Sequence, residues 1–167
     1  MTFEFFVYFV FCVFCGPKLK VLTSRRKKTT IMELTFHAPD YLPHKPPMTM
    51  VDTLAVDNGS KYAIATIRPD NRFLNSDGVL DRTTLPEIVA QALAGYDSLE
   101  NNGNIRPGVL AVMKNVVFHG DIFANDTIYI YADEERPMDN WCIVQFKIYK
   151  GNKTELISEG QLNLCLL

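Results

Sequence analysis

The sequence predicts an α+β fold in which about six mostly antiparallel strands wrap around one central helix. Three features predict it: a tight-turn signal between two apolar runs, one long apolar helix pattern, and four strand-like runs after that helix. The order along the chain is therefore two strands, one buried helix and four strands. One helix covers only one face of such a sheet and leaves strand edges exposed, so we also expect a dimer joined through the sheets.

Length and composition suit one soluble domain. The chain has 167 residues, of which 47% are hydrophobic and 22% are charged, and its net charge is −2. A chain of this size buries a core without the help of disulfides or metal. The small net charge gives no electrostatic reason to expect nucleic acid or an anionic membrane as a partner.

The cysteines and histidines do not predict a metal site. Cys12 and Cys15 form one C-x-x-C pair inside an all-apolar run, and the three histidines are scattered rather than placed at ligand spacing. We therefore expect no metal and no other cofactor. Few, unpaired thiols in the main body are typical of a reducing compartment, so we expect a cytoplasmic protein.

Residues 1–31 differ from the rest of the chain. Their apolar stretch, 5–15, is shorter than the roughly 20 residues that a membrane-spanning helix needs, and the basic residues follow it, whereas in a signal peptide they precede it. The run "RRKK" at 25–28 is compatible with a translated ribosome-binding site, since all-purine codons encode both Arg and Lys, and Met32 opens the organised region. We favour a non-native or disordered extension from a mis-assigned start over a short membrane anchor, with a single domain at 32–167.

A hairpin opens the predicted domain. Asn58 and Gly59 separate the apolar runs 48–57 and 60–69, and both turn residues accept the positive φ of a tight primed turn. We expect a loop at 70–84, because proline and polar residues end the second run.

The predicted helix covers 85–102. Thr84 can cap it, Pro86 suits its first turn, and Glu87 can close a Thr-x-x-Glu capping box. Apolar residues cover most of its circumference, so we expect other structure to surround it. A tight turn at 151–153 separates the last two of the strand-like runs that follow the helix. These runs are 108–119, 126–136, 140–150 and 154–167.

Three short motifs occur in order on these elements: "LPHKPPMTMVD" at 42–52, "EIVAQALAG" at 87–95 and "HGDIFANDTIYI" at 119–130. Together they resemble the motifs of the hotdog-fold 3-hydroxyacyl-[acyl-carrier-protein] dehydratases of the FabA/FabZ type, over about residues 38–167. The resemblance is strongest to the ApeP-like branch, which is associated with aryl-polyene synthesis and in which P-H-x-x-P-M recurs.

The resemblance implies an acyl thioester of a carrier protein or of coenzyme A as substrate, in fatty acid or aryl-polyene type biosynthesis. It would bind at a dimer interface beside the helix start, at Thr84, Leu85 and Pro86, where unpaired first-turn amides polarise a carbonyl. Dehydration needs a base for the α-proton and an acid for the departing β-hydroxyl. Glu87 matches the family's acid, four residues before Gln91. Gln91 is a further expected substrate-binding residue, and it could hydrogen-bond that carboxylate or a water.

The family's base is a histidine in a G-H-F-P segment before the helix, and this chain has no histidine between His44 and His119. Asp77 or Asp81 could act as the base if burial raised its pKa, although loop aspartates are usually solvated turn residues. His44 is the other candidate, either as a replacement base or as a structural corner between proline-rich flanks. His119 is interpreted as a loop anchor, and His37 as a surface residue.

Three functions are compatible with this pattern. The first is a dehydratase of 3-hydroxyacyl thioesters with Glu87 as acid and an unconventional base. The second is a non-catalytic hotdog subunit that partners an active dehydratase in a heterodimer. The third is a thioesterase of the same fold, in which Glu87 and Gln91 help to activate water.

Overall fold

The computed structural model describes residues 33–105, 108–138 and 141–166. The predicted extension at 1–31, with its C-x-x-C pair, lies outside these residues. The described chain contains one α-helix and one seven-stranded sheet. The helix, α1, covers Leu85–Glu100. The strands are β1 Leu34–His37, β2 Thr53–Asp57, β3 Ser60–Thr66, β4 Gly108–Phe118, β5 Thr127–Met138, β6 Trp141–Lys150 and β7 Glu155–Leu166.

The sheet has the order β1-β2-β3-β5-β6-β7-β4, and every neighbouring pair is antiparallel. Its inner face packs on α1, which is buried over most of its length because apolar residues cover it nearly all round. The predicted arrangement of antiparallel strands around one central helix is confirmed.

The two predicted turns are confirmed. Asn58 and Gly59 adopt φ values of 48° and 84°, which is the left-handed backbone that a two-residue primed turn requires between β2 and β3. Gly151, Asn152 and Lys153 also have positive φ, and they lie between β6 and β7.

The start of the domain differs from the prediction. Strand β1 was not predicted, because it is only four residues long and mostly exposed; it pairs with β2 from Leu34↔Val56 to His37↔Thr53. The strand predicted at 48–57 begins only at Thr53. Residues 48–50 are not in the sheet because the side chain of Gln91 bonds the backbone of Met48 and Met50.

The predicted capping box is wrong. Thr84 has helical angles, with φ −79° and ψ −17°, and makes no side-chain cap bond. A short 3-10 turn, Arg82–Thr84, precedes the helix, and the Asp81 carboxylate caps this turn by accepting from Thr83 N at 2.9 Å. The Thr84 hydroxyl instead donates to the carbonyl of Asp81 at 2.7 Å. Because the backbone is already helical at Thr84, Glu87 does not close a capping box on this residue.

Strands β1 and β4 form the two edges of the sheet. Among the described residues, no helix is long and apolar enough to cross a membrane. Within the same ranges, no group of three or more His, Cys, Asp or Glu side chains is placed to hold a metal ion.

Candidate active site

His44 and Glu87 meet at the start of the helix. His44 lies in the loop that leads to β2, and Glu87 lies in the first turn of α1. The distance from His44 Nε2 to Glu87 Oε1 is 3.6 Å, and the two side chains are 16% and 8% exposed. The fold therefore brings together the two residues that sequence analysis named as candidate acid and base.

Gln91 lies one helical turn beyond Glu87 and is fully buried. Its Nε2 donates to Glu87 Oε1 at 2.8 Å and to the carbonyl of Met48 at 2.8 Å. Its Oε1 accepts from the amide of Met50 at 2.9 Å. The backbone groups of Met48 and Met50 were not among the predicted site residues, because only the folded loop shows which backbone atoms reach the helix.

Burial raises the pKa of Glu87 from 4.5 to about 7, against the opposing effect of the Gln91 hydrogen bond, which lowers it. The position in the first helical turn also favours the ionised form, so desolvation dominates. Oε2 of Glu87 is buried and makes no hydrogen bond within the described ranges. A carboxyl group in this environment holds its proton close to neutral pH, as a general acid must.

Burial lowers the pKa of His44 below its ordinary value of 6.5. The imidazole is therefore neutral at pH 7 and able to accept a proton. The loop around it is closed by a bond from the Thr49 hydroxyl to the carbonyl of His44, at 3.0 Å. This residue thus occupies a loop corner and also faces Glu87.

The helix start differs from what the resemblance implied. The amide of Thr84 donates to the carbonyl of Asp81 at 3.0 Å, and the amide of Leu85 donates to the carbonyl of Arg82. Pro86 has no N–H. All three residues are buried. The 3-10 turn thus pairs the amides of Thr84 and Leu85, which a simple helix start would leave unpaired, and the substrate-binding role of Thr84, Leu85 and Pro86 stays a prediction.

The loop of the third motif, through Asp121 and Ile122, is hydrogen-bonded to the segment that leads into α1. The Arg82 guanidinium donates to Asp121 Oδ1 from Nε at 3.0 Å and from a terminal nitrogen at 2.7 Å. The amide of Leu80 donates to the carbonyl of Ile122 at 2.8 Å. These bonds join the loop after β4 to the loop that leads into α1, and so position Glu87.

The two aspartates considered as bases do not contact Glu87 in the described part of the chain. The Asp81 carboxylate is occupied by Thr83, and Asp77 is exposed in a turn of the loop. His119 Nε2 is 3.2 Å from a carboxylate oxygen of Glu159, and His37 is exposed beside Asp40.

Two cavities of the single chain lie away from the His44–Glu87 pair. One, of about 390 Å³, is beside the second half of α1, and the other, of about 330 Å³, is on the outer face of the sheet. His44, Glu87 and Gln91 line neither of them.

Several solved structures resemble the chain. The dehydratase heterocomplex ApeI:P from Xenorhabdus doucetiae matches with a TM-score of 0.68 and 20% identity, over 79% of this chain and 91% of that chain. A 1,4-dihydroxy-2-naphthoyl-CoA thioesterase from Synechocystis matches with a TM-score of 0.54 and 10% identity, over 64% and 80%. The protein smu.793 from Streptococcus mutans, bound to acetyl CoA, matches with a TM-score of 0.55 and 11% identity, over 76% and 96%. These similarities confirm the hotdog fold.

Sequence comparison gives a more specific result. No curated protein matches the chain significantly. A family model described as ApeP-like, ApeP dehydratase, matches residues 36–166, which is most of the chain. The chain therefore belongs to the ApeP-like dehydratase family.

Proposed function

We propose that this protein dehydrates 3-hydroxyacyl thioesters, with His44 as the base and Glu87 as the acid. The observation that carries the proposal is the contact between the two side chains, 3.6 Å apart, in surroundings that move their pKa values in opposite directions. A raised pKa keeps Glu87 protonated and a lowered pKa keeps His44 neutral at the same pH, which suits Glu87 to the role of acid and His44 to the role of base. The family supports this reaction type.

The reaction balances within this pair. Neutral His44 takes the α-proton, Glu87 gives its proton to the β-hydroxyl, and water leaves as the double bond forms between the α and β carbons. This leaves an imidazolium beside a carboxylate. Nε2 of His44 is 3.6 Å from Oε1 of Glu87, so a small rotation of the carboxyl group that presents Oε2 to Nε2 returns the proton from His44 to Glu87 and restores both groups. The G-H-F-P histidine is not needed in this scheme.

The proposed acyl carrier is an acyl carrier protein or coenzyme A, and the proposed location is the cytoplasm. The relative smu.793 is bound to acetyl CoA, which supports a thioester in this fold. The relative from Xenorhabdus doucetiae is a dehydratase heterocomplex, which supports a second hotdog chain as partner.

The second candidate function is a hotdog subunit that supports an active dehydratase without catalysis of its own. The absence of a G-H-F-P histidine from the sequence favours it, as does the heterocomplex of the relative. Hydrolysis has less support. Hydrolysis would use Glu87, hydrogen-bonded by Gln91, to activate water, and the two hydrogens of Nε2 are directed to Glu87 and Met48, which leaves the amide itself no donor for that water.

The assay that separates these functions uses a 3-hydroxyacyl carrier protein as substrate and measures enoyl thioester and free thiol. The purified chain is tested alone and with a candidate dehydratase partner, as wild type and as Glu87→Gln. Our proposal predicts enoyl product that disappears in Glu87→Gln and persists in Glu155→Gln, a matched change at an exposed carboxylate. Product that requires the partner and survives Glu87→Gln would establish the supporting-subunit function. Free thiol without enoyl product would establish hydrolysis.

A further inference from the structure

We infer that Gln91 is a positioning residue that fixes the geometry between His44 and Glu87, rather than a residue that binds the substrate. The inference rests on the proposed function. Its test includes measurements that need no substrate, so the two can fail separately.

The side-chain amide of Gln91 donates both of its hydrogens to protein acceptors. Nε2 has two hydrogens, and their acceptors are Glu87 Oε1 and the carbonyl of Met48, both at 2.8 Å. Oε1 accepts from the amide of Met50 at 2.9 Å. The side chain is 0% exposed. A substrate would have to displace one of these buried bonds, and leaving a buried polar group unpaired is costly.

The bonds of Gln91 connect the loop of His44 to Glu87. Residues 48–50 continue the loop that carries His44, and the hydroxyl of Thr49 closes that loop on the carbonyl of His44. Gln91 bonds the backbone on both sides of Thr49 and, through the same Nε2, the carboxyl group that His44 faces. One side chain therefore holds the base-bearing loop and the acid in a single arrangement.

The Gln91 bond also determines which oxygen of Glu87 carries the carboxyl proton. Because Oε1 of Glu87 accepts from Gln91, it takes the role of the carbonyl oxygen when the group is protonated. The proton then belongs on Oε2, which is buried and makes no hydrogen bond in the described part of the chain. Gln91 thereby selects Oε2 as the atom that delivers the proton. His44 is the titratable side chain that contacts Glu87 among the described residues.

The test replaces Gln91 with methionine, which has a similar length and no amide. The Gln91 bond lowers the pKa of Glu87, so its loss moves that pKa above about 7. We expect Gln91→Met to lower kcat by about 10-fold or more, to change KM by less than about 3-fold, and to shift the alkaline limb of the pH profile upward. The matched control is Gln145→Met, which removes an exposed glutamine bonded to Gln161 and should change none of these values.

A residue that binds substrate gives a different result: KM rises, kcat is unchanged and the pKa of Glu87 stays in place. That pKa is read directly from the carboxyl carbon signal of labelled Glu87 in a ¹³C NMR titration without substrate, with circular dichroism to check folding. An unchanged titration in folded Gln91→Met overturns the inference, whether or not wild type dehydrates. Wild type without activity but with a shifted titration in the variant removes the proposed function and leaves the positional role of Gln91.

A second variant covers the case in which Gln91→Met does not fold. Gln91→Glu keeps the acceptor for the amide of Met50 and loses the donors to Met48 and Glu87. A carboxylate next to Glu87 raises its pKa through like-charge repulsion. The same fall in kcat at nearly constant KM is expected. A rise in KM alone would contradict the positioning role here as well.

Discussion

His44 Nε2 lies 3.6 Å from Glu87 Oε1, inside one chain and at the start of α1. The residue that matches the family's acid therefore has a histidine beside it although the sequence has no G-H-F-P segment. Burial acts on both groups, raising the pKa of Glu87 to about 7 and lowering that of His44. One environment thus prepares an acid and a base at the same pH, because burial disfavours the charged form of each group.

The pH dependence of kcat/KM should be bell-shaped. The rate rises as His44 loses its proton, with a midpoint below 6.5, and falls as Glu87 loses its proton, with a midpoint of about 7. Glu87→Gln should lower the rate by about 100-fold or more and remove the alkaline limb. Initial rates from pH 5 to 9 measure this, with His119→Gln as the control at an exposed histidine. An alkaline limb that stays in Glu87→Gln would assign it to another group.

The stability of the protein should also depend on Glu87. Its pKa rises from 4.5 in the unfolded chain to about 7 in the folded chain, so folding favours the protonated form. This stabilisation is complete below pH 4.5 and is lost as the pH rises to about 7. The full loss is about 3 kcal/mol. Glu87→Gln, which does not titrate, should therefore gain up to about that free energy of unfolding, relative to wild type, between pH 4 and pH 8.

Urea unfolding at the two pH values measures that gain. The control is Asp77→Asn, which makes the corresponding carboxyl-to-amide change at an exposed residue in the loop before the helix. A Glu87→Gln effect of equal size at pH 4 and pH 8 would mean that the carboxyl group titrates alike in the folded and unfolded chains.

Tyr96 connects α1 to the first hairpin. Its hydroxyl accepts from the amide of Ala55 at 2.9 Å and lies 2.6 and 2.7 Å from the carbonyl oxygens of Ala55 and Tyr62. Tyr96→Phe leaves partly buried backbone groups unpaired, so it should lower the free energy of unfolding by about 1–3 kcal/mol. Tyr149→Phe, which keeps its ring contact with Tyr131, should change it by less than about 0.5 kcal/mol. Equal effects of the two changes in thermal unfolding would remove the special role of Tyr96.

We expect a second chain to pair with the edge strand β4 rather than with the edge strand β1. Strand β4 has 11 residues and β1 has four, and a long exposed edge is the better template for pairing with another chain. Val117 on β4 and Leu34 on β1 are both 45% exposed, which makes a matched pair of probes. If the expected dimer forms through β4, Val117→Lys should raise its dissociation constant by about 10-fold or more in analytical ultracentrifugation, whereas Leu34→Lys should not. Dissociation by Leu34→Lys alone would place the interface at β1.

The central helix, the strands from β2 onward and the placement of Glu87 beside Gln91 could be predicted from the sequence because they depend on local patterns. Asn58-Gly59 determines its own turn, and the four-residue spacing of Glu87 and Gln91 places both on one side of the helix. The resemblance contributed the role of Glu87. The capping box could not be excluded in this way, since Asp81 starts a helical turn before Thr84 and no local pattern shows that.

The contact between His44 and Glu87 depends on long-range packing. The loop of His44 reaches the helix because Gln91 bonds the backbone of residues 48–50, and backbone partners leave no mark in the sequence. Strand β1 was missed for a related reason: it is short and exposed, so its place in the sheet comes from β2 rather than from its own pattern.

The most direct test of the central claim is the rate at which the purified protein forms enoyl thioester from a 3-hydroxyacyl carrier protein, for wild type, His44→Gln and Glu87→Gln. Circular dichroism confirms that each variant folds. We predict that each single change lowers the rate by about 100-fold or more, and that the double variant is no worse than the poorer single one, because the pair acts as a unit. A folded His44→Gln variant with the wild-type rate would contradict the account.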